Sequence, residues 1–269
     1  MEEANIPNIT RKKIQELLKE NRRLDGRTPF EFREITVEKG ISKNAEGSAR
    51  VKIGDTEVIA GVKMEIMEPF PDSEDKGILM VGAELRPIAS ELFEMGPPRM
   101  DSIGLARTVD RCVRESDFIN FEKLCIKKGE KVWAILLDIY AINDAGNLTD
   151  ASAIAAVAAL LDSVFPEVEG EKVKYGTRTK NKLPLTGIPF NITGYQIGDH
   201  FLFDPDDLEE NVATGKMSFA VSFDKELTIH GALKSNEATT SIESIDNLLT
   251  NIKKEAEKVY KNLVTAYKK

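Results

Sequence analysis

The first apolar positions along the chain, Ile9, Ile14, Leu17 and Leu18, fall at helical spacing and predict an amphipathic helix over residues 8–21, capped by Asn8 or Thr10. The turn-rich run Arg22-Arg23-Leu24-Asp25-Gly26-Arg27 breaks it. The pattern then shortens to a period of two: residues 30–38, 47–53 and 57–67 read as strands, with Gly54-Asp55 a tight turn between the last two. Another strand is expected over 77–85, ahead of Pro87. After the loop Met95-Gly96-Pro97-Pro98-Arg99 a helix is expected over 101–118, with Asp101 or Ser102 as its N-cap. Residues 131–142 form an apolar, β-branched run that predicts a strand central to a sheet. A turn over 143–147 leads into an alanine-rich helix, 149–165, stopped by Pro166. Beyond a basic linker, 172–182, short strands are expected at 191–197 and 200–203, then a hairpin of 217–223 with 226–230. Residues 241–268 form one long amphipathic helix through Ile242, Ile245, Leu248, Leu249, Ile252, Val259, Leu263 and Val264. The pattern predicts an α/β (α+β) protein with a mixed sheet, either one domain or two tightly fused lobes.

Charge changes the picture in one respect. With 37 Lys+Arg against 45 Asp+Glu the formal net charge is −8, which argues mildly against a general nucleic-acid binder. Any RNA contact must come from local clusters or from charge supplied by a partner. Cys112 and Cys125 have no CxxC spacing, and His200 and His230 stand apart, so neither a disulfide framework nor a metal site is expected. The start, MEEANIPNIT, has no apolar signal core, and no apolar stretch is long enough to span a bilayer, which predicts a soluble, cytoplasmic protein.

Four segments are candidates for chemistry. Arg107, Arg111 and Arg114, four and three residues apart on one helix, can point one way and match phosphate geometry with their planar guanidinium groups. The alternative is a solvated face, or salt bridges to a neighbouring subunit. The turn from Asn143 to Asp150 opens a helix, a natural anion site, but Asp150 in the first turn reads as ordinary capping. Asp204-Pro205-Asp206-Asp207-Leu208-Glu209-Glu210 contains enough carboxylates for a divalent metal or acid–base chemistry, yet without a nearby histidine it reads as a solvated turn. The basic stretch 172–182 is a weaker candidate for phosphate contact.

Taken together and in order, several segments resemble the RNase PH superfamily of phosphorolytic exoribonucleases. They are Arg23-Leu24-Asp25-Gly26-Arg27, Glu46-Gly47-Ser48-Ala49, Glu94-Met95-Gly96-Pro97-Pro98, and Leu105-Ala106-Arg107-Thr108-Val109-Asp110-Arg111 with Arg114-Glu115-Ser116. The Asn143-Asp144 turn and Asp204-Pro205 with Glu209-Glu210 complete the series. The loop and arginine helix are similar to the archaeal exosome branch of that superfamily.

The pattern sets an N-terminal helix, 1–21, apart, and the resemblance, which runs from about Arg22, implies a single domain over 22–269. That domain would be built of two fused β-α lobes, roughly 22–170 and 171–269, of the kind seen in the second domain of ribosomal protein S5. It also implies a catalytic sister subunit in a trimer of heterodimers, a cap of S1/KH or zinc-ribbon proteins, and single-stranded RNA threaded through the ring. RNA would be cleaved by phosphate, releasing nucleoside diphosphates. Arg107 and Arg111, with Arg114, would bind RNA toward the sister's active site.

Two departures imply that this chain does no chemistry alone and holds no cofactor. Active relatives carry a glycine–glycine–threonine–arginine–threonine run where this chain has Asn147-Leu148-Thr149-Asp150, so an acid stands where an arginine would hold phosphate. They also place an aspartate where this chain reads Gly215-Lys216-Met217-Ser218. Two alternatives stand beside this expectation. One is an independently active phosphorolytic enzyme that uses Asp204, Asp206 or Asp207. The other is an α/β metabolic enzyme or binding protein with no link to RNA.

Overall fold

The computed structural model describes residues 7–170 and 172–268; the first six residues of the expected N-terminal segment lie outside them. Helix α1 (Asn8–Lys19) is capped by neither Asn8 nor Thr10. Pro7 sits at the N-cap, and its carbonyl accepts from Thr10 N at 2.9 Å and Arg11 N at 3.3 Å. A proline loses nothing there, because the N–H it lacks would have no helical partner. The helix buries Ile14 and Leu18 against Tyr195, Ile197, Leu202 and Val212.

The larger sheet comprises β1 (Ile35–Lys39), β2 (Gly47–Ile53), β3 (Thr56–Met67), β4 (Ile78–Glu84), a short β5 (Cys125–Lys127) and β6 (Lys131–Asn143). Its order is β1-β2-β3-β6-β4, with β5 also on β6. Strand β6 runs antiparallel to β3 and parallel to β4, so the sheet is mixed and its most apolar strand is central, as its composition predicts. The strand expected from residue 30 begins only at Ile35. Phe30 and Phe32 instead turn out of the sheet and pack on Phe203, with ring centroids 5.0 and 6.0 Å away.

Helix α2 (Met100–Arg114) follows β4, and α3 (Leu148–Asp162) follows β6. Every residue of α3 from Leu148 to Leu160 is buried, as a helix apolar on all sides must be. Small alanine side chains let it pack on β2 and β3 of the larger sheet and on β9 (Pro189–Ile197) of the smaller one. At Gly47 a Cβ would stand 2.1 Å from Ser163 Oγ and 2.3 Å from the Ala159 carbonyl, so β2 reaches α3 only through glycine. The helix ends at Asp162, before the expected stop at Pro166. Ser163 is extended, and Val164 N donates to the Glu46 carbonyl at 3.2 Å, so tertiary pairing ends the helix first.

The expected basic linker opens as a strand: β8 (Lys172–Lys174) pairs antiparallel with β7 (Glu167–Glu169). The smaller sheet has the order β10-β9-β11-β12, with β10 (His200–Phe203), β11 (Gly215–Phe223) and β12 (Leu227–Ser235) all antiparallel to their neighbours. Helix α4 (Asp207–Val212) lies between β10 and β11 and begins within the segment, 204–210, expected to be a solvated turn. Helix α5 (Ile242–Lys268) lays Leu248, Ile252, Ala256, Val259 and Leu263, spaced by four, four, three and four, against β1 of one sheet and the strands of the other. One hydrophobic core thus joins both sheets. Among the described residues no helix is long and apolar enough to cross a membrane.

Candidate nucleic-acid interface

Helix α2 has Arg99 at its N-cap rather than Asp101 or Ser102; Ser102 lies inside the first turn and its hydroxyl donates back to the Arg99 carbonyl at 3.0 Å. Leu105, Ala106, Val109, Cys112 and Val113 are buried, which leaves the arginines facing outward. The three do not behave alike. Arg114 binds Asp110 through Nε at 3.1 Å and Nη2 at 2.7 Å, donates to the Leu79 carbonyl at 3.2 Å, and lies 5.6 Å from the centre of the Phe121 ring. Arg107 and Arg111 are exposed, and their side chains have neither a hydrogen bond nor an ion pair among the described residues. Four residues apart, their backbones are offset by about 6 Å along the helix axis. Two unpartnered guanidinium groups so placed can take successive phosphates of an extended strand. Arg111 also forms one wall of a cleft of about 210 Å³ between α2 and the β11–β12 hairpin.

The basic stretch offers less. Lys174 lies 4.0 Å from Glu167, and Arg178 pairs with Asp162 at 3.3 Å. Lys63 sits 4.6 Å over the Tyr175 ring.

The acidic run 204–210 is a structural core of charge, which overturns its reading as a solvated turn. Asp204 and Glu209 are buried, and the six-residue helix α4 starts with a capping box between Asp206 and Glu209. Arg23, itself buried, donates from Nε to Glu209 at 3.0 Å, makes a second ion-pair contact to it through Nη2, and donates to the Phe203 carbonyl at 2.9 Å. Asp204 accepts from Arg33 Nη2 at 2.7 Å, Arg33 Nε at 2.9 Å, Arg27 Nη1 at 3.0 Å and Asn147 Nδ2 at 3.0 Å. Burial alone would raise the Asp204 pKa, but the hydrogen bonds and charge of Arg33 outweigh it and hold the carboxyl below its usual range. Arg23, Arg27 and Arg33 together tie the segment ahead of β1 to the segment that follows β10.

The start of α3 is closed by the chain's own carboxylates. Asn147, in the left-handed region at φ 62°, donates its backbone N–H to Glu210 Oε2 at 2.6 Å. Asp150 does not cap the helix, which has no side-chain cap. Its carboxyl turns inward and accepts from Thr193 N at 3.1 Å and Thr193 Oγ1 at 2.7 Å; Thr193 Oγ1 in turn lies 3.0 Å from Ser218 Oγ. Burial pushes the Asp150 carboxyl up to about 7. The capping acid expected at this helix start is thus a buried acid bound to β9. Asp144 beside it is also pushed up to about 7, by burial first and by the charge of Glu210 second. Lys216 lies on β11. Among the described residues no group of His, Cys, Asp and Glu is placed to hold a metal ion.

The family description "3′ exoribonuclease family, domain 1" matches residues 31–166, and "domain 2" matches residues 187–251. The chain belongs to the RNase PH family of 3′ exoribonucleases. Within that family it is of the exosome-component Rrp42 type. It is 46% identical to the "Exosome complex component Rrp42" of Methanothermobacter thermautotrophicus, with 81% of each chain covered. It is 43% identical to that of Methanocella arvoryzae over 95% of this chain and 96% of the relative. A chain of the Archaeoglobus fulgidus exosome with RNA bound to the active site superposes with TM-score 0.87 at 38% identity, covering 94% of this chain and 97% of its own.

The RNase PH frame explains which residues a sequence reading finds and which it misses. Arg107 and Arg111 are legible from helical spacing. Arg33, which ties the approach to β1 onto Asp204, carries no signal: it sits inside a segment that reads as a strand. Asn191 and His230, which line the cleft beside Arg111, are equally silent, since neither belongs to a recognisable motif.

Proposed function

We propose that this chain is a non-catalytic ring subunit of a cytoplasmic archaeal exosome. Arg107 and Arg111 grip single-stranded RNA and complete the active site of a catalytic RNase PH-like sister, which degrades RNA from its 3′ end with phosphate as the attacking group. The observation that carries this reading is the contrast between two helix surfaces. On α2, two guanidinium groups stand without partners; at the start of α3, where active relatives hold phosphate, Glu210 already occupies the backbone N–H. With Lys216 in the acid's position, the site lacks both anion holder and carboxylate, and the transition state loses its main electrostatic support. Arg114, paired with Asp110 at the C-terminal turn of α2, is the third RNA-binding arginine of this row. The ring is a trimer of heterodimers with S1/KH or zinc-ribbon proteins as its cap, and two fused lobes of this chain, about 22–170 and 171–269, form its wall. An acidic chain can serve in such a ring because only a few phosphates are gripped, inside a channel built by two proteins.

The test is a phosphorolysis and RNA-binding assay on a 3′-tailed RNA, with the chain alone and with its sister. The chain alone is expected to release no nucleoside diphosphate. With the sister, Arg107→Glu and Arg111→Glu together should leave the ring assembled and weaken RNA binding. They should also flatten the salt dependence of log Kd by about 0.7 for each phosphate no longer neutralised. Phosphate-dependent release of nucleoside diphosphates by the chain alone would overturn the non-catalytic assignment.

A further inference from the structure

The cleft behind Arg111 is more than a place for a guanidinium to rest. Its walls come from α2, β9, β11 and β12, and its volume is about 210 Å³. Asn191, 1% exposed, lines it, and its amide Nδ2 is buried with no hydrogen-bond partner among the described residues. A buried donor left without an acceptor is costly, so this side of the cleft carries an unmet polar group. Ser218 Oγ also lines the cleft and lies 3.0 Å from Thr193 Oγ1; with the Thr193 proton on Asp150, Ser218 donates to Thr193 and turns its lone pairs to the cleft. His230 enters from a β-bulge: Ala220 pairs with Gly231 and Val221 with Ile229, leaving His230 unpaired in the ladder. Such bulges re-aim side chains at sites. Its Nε2 lies 2.7 Å from Ser222 Oγ, and burial holds the imidazole below its usual pKa, so the ring stays neutral near pH 7.

The chemistry of the lining selects the ligand. The charged groups are one Arg111 and one Glu115, a turn apart on α2 with no ion pair between them, so the cleft is neutral in sum. A phosphate dianion offers only acceptors and would face Glu115. Thr108, Asn191 and Ser218 instead give the cleft uncharged polar groups, while Ala220, Ala232 and Leu233 give it an apolar side, a mixture that suits a flat heterocycle better than an anion. The volume equals about seven liquid-water volumes, more than a phosphate group fills. Arg111 at the mouth can lay its guanidinium plane on an aromatic ring.

We propose that this cleft receives one unstacked nucleobase of the RNA strand whose backbone Arg107 and Arg111 hold, with Asn191 and Ser218 in its lining and the Arg111 guanidinium plane at its mouth. The proposal rests on the RNA-binding reading above and adds base contact to it. Gly231 provides a clean way to close the cleft: it lines the cavity, a Cβ there would meet nothing within 4 Å, and its φ is not in the left-handed region.

The experiment uses the ring reconstituted with its sister subunit, without phosphate, and fluorescent RNA oligonucleotides in which a single abasic ribose is walked back from the 3′ end. Anisotropy gives Kd for each. One position is expected to lose about tenfold in affinity when its base is removed. Asn191→Leu and Gly231→Leu should each erase that difference, binding the intact and abasic strands alike. The absence of any sensitive position, or a sensitive position that persists in both variants, overturns the base site. Arg107→Glu in the same series separates the two claims. If it weakens every oligonucleotide equally while no abasic step matters, RNA binding stands and the base site falls. If it changes nothing, the RNA-binding reading itself falls.

Discussion

Asp150→Asn tests the inward turn of the acid at the start of α3. The carboxyl is buried, accepts from Thr193 N and lies against Thr193 Oγ1, and its pKa is raised from 3.8 to about 7. The native state therefore holds this proton more tightly than the unfolded chain. For an acid shifted upward, stability is full below the unfolded pKa and is lost as pH rises through the folded one. A shift from 3.8 to about 7 corresponds to at most on the order of 4 kcal/mol across the whole window. Between about pH 5 and about pH 7 the expected loss is about 2 kcal/mol from this group alone. Asparagine resembles the protonated acid: its amide oxygen can accept from Thr193 N while its amide nitrogen donates to Thr193 Oγ1, whose own proton then goes to Ser218. The variant should thus gain on the wild type by about 2 kcal/mol between those two pH values. Urea unfolding of both proteins in parallel measures it. Asp144 titrates in the same window, so the difference between variant and wild type is the quantity to read, not the wild-type curve alone. A difference that stays flat with pH would refute the reasoning, because it would mean that Asp150 is ionised in the native state throughout.

Two further outcomes follow from the packing. Asp204→Asn should cost about 3 kcal/mol at neutral pH, since it leaves Arg33 and Arg27 part-buried without their shared anion. Because the Asp204 pKa is depressed, the wild type should lose this contribution as pH falls below the unfolded value of 3.8, and the variant should not; unfolding midpoints at neutral and acid pH check both points. Gly47→Ala should destabilise by about 3 kcal/mol or prevent folding, while Gly61→Ala, whose Cβ meets nothing within 4 Å, should be nearly neutral; thermal unfolding of the two variants gives the contrast.

Local pattern specifies the elements and the arginine row. Period-two alternation places β2 and β3, a strongly apolar run places β6 at the centre of its sheet, and helical spacing gives α5 its buried face. Arg107 and Arg111 are visible for the same reason: residues four apart on a helix must share a side. The fate of each charge, in contrast, is settled by contacts between distant segments. Arg23 meets Glu209 across 186 positions and Arg33 meets Asp204 across 171, so nothing local could show that the acidic run is buried rather than solvated. Asp150 finds Thr193 43 positions away, which turns an expected helix cap into a buried acid. Arg114 differs from its two neighbours through Asp110, a turn away on the same helix, and through Leu79 and Phe121 on other elements. Periodicity fixes which way a side chain points, because that follows from backbone geometry. It cannot fix whether a charge is free, because that depends on what a distant segment brings to meet it.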